Sequence, residues 1–189
     1  MRKNLLILLI TLALPFKAIA LIEVDITRGN LNPLPLAVSP LSIDDKSKKS
    51  FEKILKKENI GSEISIIVEN NLRTSGLFNP LNKDAFLQAP DIANLKPRFE
   101  DWNLIKAQAL ITGKVTFVEE KLRVEFRLWD ILAGKEMMAL AFTTVPENWR
   151  RVGHIISDKV YERLTGEKGY FDTRIIYVSE EGPKTLRVK

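Results

Sequence analysis

Between Leu122 and Leu128 apolar and charged side chains alternate without a break, with Leu122, Val124, Phe126 and Leu128 set against Arg123, Glu125 and Arg127. That period of two is the signature of a strand with one buried and one wet face. Upstream, Ala109, Ile111 and Val115 begin an extended stretch, and Glu119-Glu120-Lys121 is a polar turn. Downstream, Ala133-Gly134-Lys135 turns the chain again, and Met138, Leu140, Phe142 and Thr144 run back in the same phase. Three strands joined by tight turns predict an antiparallel meander over residues 108–145.

Elsewhere the period lengthens to three and four. Ile64, Ile67, Val68 and Leu72 share one helical face, with Ser62 as N-cap and Gly76 as left-handed stop. Arg98 to Ile105 reads as a helix that spaces Phe99, Trp102 and Ile105 three apart. Val152, Ile155, Ile156, Val160 and Leu164 define a last helix from Glu147 to Leu164, with Gly166 as its C-cap and Gly169 as a second release of the backbone. Leu36-Ala37-Val38 is a short buried strand whose prolines, Pro33 and Pro35, stay at its entry. Leu77 to Leu81 is extended, and Asp84 to Gln88 adds a helical turn. Ser42 to Asn59 is polar and lysine-rich, with Phe51, Ile54 and Leu55 as one apolar patch, and reads as a solvated insertion holding a short helix. Together these elements predict an α/β fold: a two-layer sandwich of a mixed sheet with an antiparallel meander and covering helices.

Both ends of the chain differ from this middle. Arg2 and Lys3 precede the apolar run Leu5 to Leu14, and Ala18-Ile19-Ala20 gives a small-x-small cleavage pattern at Ala18 and Ala20, so residues 1–20 read as a signal peptide and Leu21 as the mature N-terminus. The run is short of the ~20 residues of a membrane helix, which predicts no span after cleavage. Ile22 to Ile26 then alternates as Ile, Glu, Val, Asp, Ile, which suits an edge strand and an extended arm equally. At the other end Arg174 to Ser179 and Thr185 to Lys189 flank the turn residues Glu180 to Lys184. A lone hairpin is marginal in water, so this one reads as the start of a larger β domain.

Export changes the charge balance. Arg2, Lys3 and Lys17 account for three of the 29 basic residues, which leaves 26 against 24 acidic ones and a net of +2. So even a balance gives no broad basic field for nucleic acid. With no cysteine there is neither disulfide nor thiolate chemistry. The single histidine, His154, lies near Ser157 and Asp158, but one rigid helix cannot bend these three into a nucleophile, base and orienter; an i, i+4 surface pair of His154 and Asp158 is the expected arrangement. Trp102, Trp129 and Trp149 sit on separate elements and read as packing residues rather than a base-stacking platform. No phosphate-binding glycine motif or metal-ligand cluster stands out. An exported α/β hydrolase or ligand-binding domain is the alternative to an adaptor.

Several stretches resemble the TolB family of the Gram-negative Tol-Pal envelope system: IEVDITRGNLNPLPLAV at Ile22 to Val38, NNLRTSGLFNPL at Asn70 to Leu81, PRFEDWNLIKAQALITGKV at Pro97 to Val115, VEFRLWDILAGKEM at Val124 to Met137, and Gly153 onward to Lys189. The lysine-rich Ser42 to Asn59 departs from the family pattern. The resemblance implies a non-catalytic, monomeric periplasmic protein without cofactor or metal. It further implies an N-terminal α/β domain over residues 21–168, followed at 169–189 by a linker and the first hairpin of a truncated β-propeller. In the family the propeller binds the lipoprotein Pal and the extreme N-terminus reaches the C-terminal domain of TolA, in a system that maintains outer-membrane integrity and supports constriction at cell division. Carried over, the TolA-binding segment comprises Leu21, Ile22, Glu23, Val24, Asp25, Ile26, Thr27, Arg28, Gly29, Asn30, Leu31 and Asn32. His154, Gly166, Gly169, Tyr170 and Phe171 form the interdomain hinge, with the residues after Gly169 expected to be mobile or poorly packed.

Overall fold

Leu34–Val38 (β1) is the strand around which the sheet assembles in the computed structural model, which describes residues 32–173. Leu36 and Val38 face one core and Ala37 the other, so β1 is buried on both sides, as suits a strand with parallel neighbours. After a break at Pro40, Ser42–Ile43 (β2) resumes the same direction. Asp45–Leu55 (α1) and Ile60–Thr74 (α2) then carry the chain across to Phe78–Pro80 (β3), an edge position that tolerates Pro80. Pro90–Leu95 (α3) and Phe99–Leu104 (α4) follow. The expected meander is Ala109–Val118 (β4), Lys121–Asp130 (β5) and Lys135–Thr144 (β6), and Trp149–Thr165 (α5) comes after it. The strand order is β3-β1-β4-β5-β6, with β2 also on β4. Pairing is parallel among β3, β1, β2 and β4 and antiparallel from β4 to β6, which makes the sheet mixed.

The main core lies between one face of the sheet and helices α1, α2 and α5. Leu36, Leu122, Val124, Phe126 and Leu128 of the sheet meet Phe51, Ile64, Leu72, Ile156 and Leu164 of the helices there. The other face is not bare, as a strict two-layer sandwich would have it. Helices α3 and α4 help build a second, smaller cluster on it from Ala37, Leu110, Trp129 and Ile131 with Ala93 and Trp102. Trp102 donates its indole N–H to Gln88 at 2.9 Å and Trp129 to Thr112 at 2.9 Å, so each buried indole is satisfied. All three tryptophans are buried packing residues, as expected.

Four expectations need correction. Ser42 to Asn59 is not a solvated insertion: β2 pairs with β4, and Phe51 is fully buried, edge-on to Phe117 with ring centroids 5.3 Å apart. Nor do its apolar residues form one patch, since Ile54 points to solvent. Helix α2 starts at Ile60 rather than behind a Ser62 cap, because the fully buried Ile60 holds its first turn in the core. The residues 84–88 add only a 3-10 turn over Lys83–Ala85, and a second such turn, Pro146–Asn148, precedes α5. Among the described residues, no helix is long and apolar enough to cross a membrane.

Candidate interdomain junction

Helix α5 connects the core to the outgoing chain. Its apolar side, with Val152, Ile156, Val160 and Leu164, is buried in the main core. Beside that stripe Gly153 lets α2 approach: a Cβ there would lie 2.9 Å from Ile67 Cγ2. The same contact carries a polar link. Asn71 on α2 places its Nδ2 2.9 Å from His154 Nδ1 and 2.9 Å from Ser157 Oγ, while Ser157 donates to the Gly153 carbonyl at 2.9 Å. With the amide donating to Nδ1, the imidazole proton sits on Nε2. His154 therefore serves the α2–α5 contact, and the expected surface pair with Asp158 does not form.

Asp158 is directed instead to the outgoing chain. Its Oδ1 accepts from the Phe171 amide at 2.7 Å and its Oδ2 from the Asp172 amide at 3.1 Å. Two other contacts fasten the same segment. Tyr161 meets Tyr170 and Phe171 edge-on, at centroid distances of 5.5 Å and 5.8 Å, and its other neighbour is Phe78 of β3 at 6.1 Å. Burial pushes the Tyr161 hydroxyl above its ordinary pKa. Arg151 holds both Asp172 oxygens at 3.1 Å from its Nε.

The five expected hinge residues thus divide by role. Gly166 ends α5 in the left-handed conformation at φ 76°, its amide donating to the Glu162 carbonyl at 2.9 Å. Gly169 is a point of close contact, where the backbone lies against Asp158. Phe171 packs against the core beside α5 and the half-exposed Tyr170 meets Tyr161 edge-on, which corrects the expectation of poor packing after Gly169 for residues 170–173 alone; the rest of that expectation falls outside the described residues. His154 lies in the helix contact. Asp158, Tyr161, Arg151 and Asn71 complete the junction, and only the helical spacing of Tyr161 could have pointed to any of them.

The other site expectations fall largely elsewhere. Residues 21–31 of the TolA-binding segment, the cleavage residues Ala18 and Ala20, and the terminal hairpin lie outside the described residues. Asn32 is the one member of that segment within them, and it is exposed ahead of β1.

A mixed sheet backed by helices, with α5 gripping the chain that follows it, defines an α/β domain. The TolB amino-terminal domain model matches residues 22–137, and the chain belongs to that family. Over 176 residues, 93% of its length, it is 86% identical to the Tol-Pal system protein TolB of Pelagibacter ubique, of which it spans 40%. Among solved structures, TolB from Acinetobacter baumannii matches with a TM-score of 0.58 at 20% identity, over 79% of this chain and 32% of that one, a likeness of fold.

Proposed function

We propose that the chain is the N-terminal part of a non-catalytic periplasmic adaptor of the Tol-Pal system, which links TolA to Pal in maintaining outer-membrane integrity and in constriction at division. The 86% identity to a Tol-Pal system protein carries this reading. In it, residues 1–20 are a signal peptide, 21–168 the α/β domain and 169–189 the entry to a β-propeller that holds Pal. Residues 21–32 present Ile22, Val24 and Ile26 to TolA as anchors of an added strand. The grip on Gly169 to Asp172 accords with the boundary at 168, because it sets the direction in which a following domain leaves.

A hydrolase is disfavoured by the state of the side chains that most invited one. Ser157 is fully buried and donates to its own helix, and His154 accepts from Asn71. The deciding experiment is capture by an immobilised TolA C-terminal domain. Full chain should be retained and a chain lacking residues 21–32 should not; equal retention overturns the proposal.

A further inference from the structure

Helix α1 lies across one end of the domain. Near its start the Ser47 hydroxyl accepts from the Phe117 amide of β4 at 2.8 Å, and just past its end the Lys57 ammonium stands 5.2 Å from the ring centre of Trp149, where α5 begins. This is the end at which β4 turns into β5. The chain enters and leaves at the opposite end, where β1 comes alongside the start of β4. There Leu34, two residues after Asn32, bonds to the Leu77 carbonyl, and Phe171, just before Asp172, shares Tyr161 with Phe78.

The outward side of α1 is a stripe of lysine. Lys46, Lys49 and Lys53 are three and four residues apart and share one helical face. Lys56, the C-cap, joins Lys49 and Lys53 around an open recess of about 440 Å³ that Glu52 and Glu58 also line. All four lysines are exposed, and among the described residues none of them makes an ion pair, whereas Lys57 is paired with Glu63 at 2.6 Å. The helix dipole favours lysine in the last turn, which accounts for Lys53 and Lys56 but not for Lys46 and Lys49. Asp45 and Glu52 border the stripe on one margin, and Ser50 and Ile54 border it on the other. Over Asp44 to Glu58 six lysines stand against four acids, so the attraction rests on their arrangement and not on a large net charge. The exposed Arg150 of α5, 4.6 Å from the Trp149 ring centre, adds another cation beside Lys57.

Aliphatic side chains share this end. Ile54 on α1, Val118 at the close of β4 and Val145 after β6 are 44%, 49% and 50% exposed. Lysines about 15 Å apart at most along one helix, with aliphatic groups beside them, suit an anionic surface that has an apolar layer beneath it, which is the headgroup layer of a phospholipid membrane. An acidic peptide would be held better by the two-pronged guanidinium of arginine than by the point charges of lysine.

We propose that this end of the domain, led by Lys46, Lys49, Lys53 and Lys56, docks on an anionic phospholipid surface. Ile54, Val118 and Val145 then sit at the headgroup boundary, and Asn32 and Asp172 are turned away from it. In that pose the segments before Asn32 and after Asp172 stay free to reach partners. The proposal is independent of the TolA and Pal readings, which concern those other parts of the chain.

The test uses the chain from Leu21, which keeps every described residue and leaves out the apolar run Leu5 to Leu14, with vesicles of phosphatidylcholine alone or mixed with phosphatidylglycerol. Co-sedimentation should show binding at least about tenfold stronger to the mixed vesicles and falling as salt is raised. Lys49→Glu with Lys53→Glu should weaken it about tenfold or more, with the circular dichroism spectrum and Tm kept. Lys96→Glu with Lys106→Glu, an equal change of charge on exposed lysines remote from α1, should leave it within about twofold. Glu119 and Glu120 at the hairpin tip oppose the attraction, so Glu119→Gln with Glu120→Gln should strengthen binding. Because the chain has no cysteine, Ile54→Cys can carry a single environment-sensitive dye, whose emission should shift to the blue on the mixed vesicles. The same dye at Leu132→Cys, in the exposed β5–β6 turn at the opposite end, should not respond. Absence of binding, equal binding to neutral vesicles, equal weakening by the two lysine pairs, or a blue shift at position 132 would overturn the proposal. So would capture of soluble polyglutamate in place of vesicles, which would assign the lysines to an acidic protein.

Discussion

The carboxylate of Asp158 occupies the space in which a side chain at position 169 would have to begin. A Cβ on Gly169 would lie 2.5 Å from Asp158 Oδ1 and 2.6 Å from its Cβ, with the Asp158 backbone nearer still. Only glycine lets the outgoing chain lie close enough for that carboxylate to accept from the Phe171 and Asp172 amides. The grip and the glycine are one feature.

Gly169→Ala should therefore lift the segment off α5. Losing one or both bonds to a charged acceptor, about 1.5–3 kcal/mol each, should speed amide exchange at Phe171 and Asp172 roughly tenfold or more. Gly166→Ala is the contrast. Its φ of 76° strains any side chain, but nothing lies within 4 Å of the added Cβ. It should cost about 1 kcal/mol of global stability and leave exchange at those two amides unchanged. Hydrogen exchange followed by NMR separates the two outcomes.

The parts legible in the sequence were those that repeat. Four apolar residues alternating with three charged ones over Leu122–Leu128 were enough to place a meander, and five apolar residues at helical spacing were enough to place α5. The lysine-rich segment reads as solvated because its one fully buried apolar side chain is Phe51, and a single residue has no period. At the junction the obstacle was different. Asp158 binds backbone amides, which every residue but proline carries, so its partners leave no mark on the sequence. His154 was assigned a neighbour one turn away, whereas its partner Asn71 is 83 residues distant on another helix. Local pattern shows which face of a helix is buried, but not which polar groups meet once two helices pack.

Phe51 now carries a stability prediction. It is fully buried against Phe117 in the main core, so Phe51→Ala should cost about 3–5 kcal/mol in a denaturant titration. Ile54 is 44% exposed, and Ile54→Lys should stay within about 0.5 kcal/mol of the parent. Similar effects from the two would restore the solvated-insertion reading.

Asp44 ties that helix to the sheet. Its Oδ1 accepts from the Ser47 amide and its Oδ2 from the Ser47 hydroxyl, each at 2.9 Å, and the same hydroxyl accepts from the Phe117 amide at 2.8 Å. The Ser47 amide above all, helped by the Ser47 hydroxyl and Lys114 and opposed by burial, holds the Asp44 carboxyl below its ordinary value of 3.8. Asp44→Ala should cost about 1 kcal/mol at neutral pH, the usual loss for an N-cap. A carboxyl lowered on folding stabilises above its unfolded pKa and ceases to do so as pH falls through the folded value. The gap between parent and variant should therefore be constant above the ordinary carboxylate range and close below 3.8. Denaturation midpoints taken across that range check it; a gap independent of pH would assign the effect to something other than the charge.

The turn between β4 and β5 offers a change of the opposite sign. Val118 pairs with Lys121, so the loop is the two residues Glu119 and Glu120, at φ 50° and 59°. Two consecutive left-handed residues suit the right-handed twist of a hairpin, but the arrangement favours asparagine followed by glycine. A residue with a Cβ is held there at a cost of roughly 1–2 kcal/mol. Two adjacent glutamates also repel each other, and glycine partly offsets the gain through the greater freedom it has when unfolded. Glu119→Asn with Glu120→Gly should raise stability by about 1 kcal/mol, seen as an increase in Tm, with the ten-pair β4–β5 ladder intact. Glu119→Val with Glu120→Val should do the reverse, because a β-branched side chain tolerates positive φ least. If both double variants melted with the parent, strain at this turn would not be limiting stability.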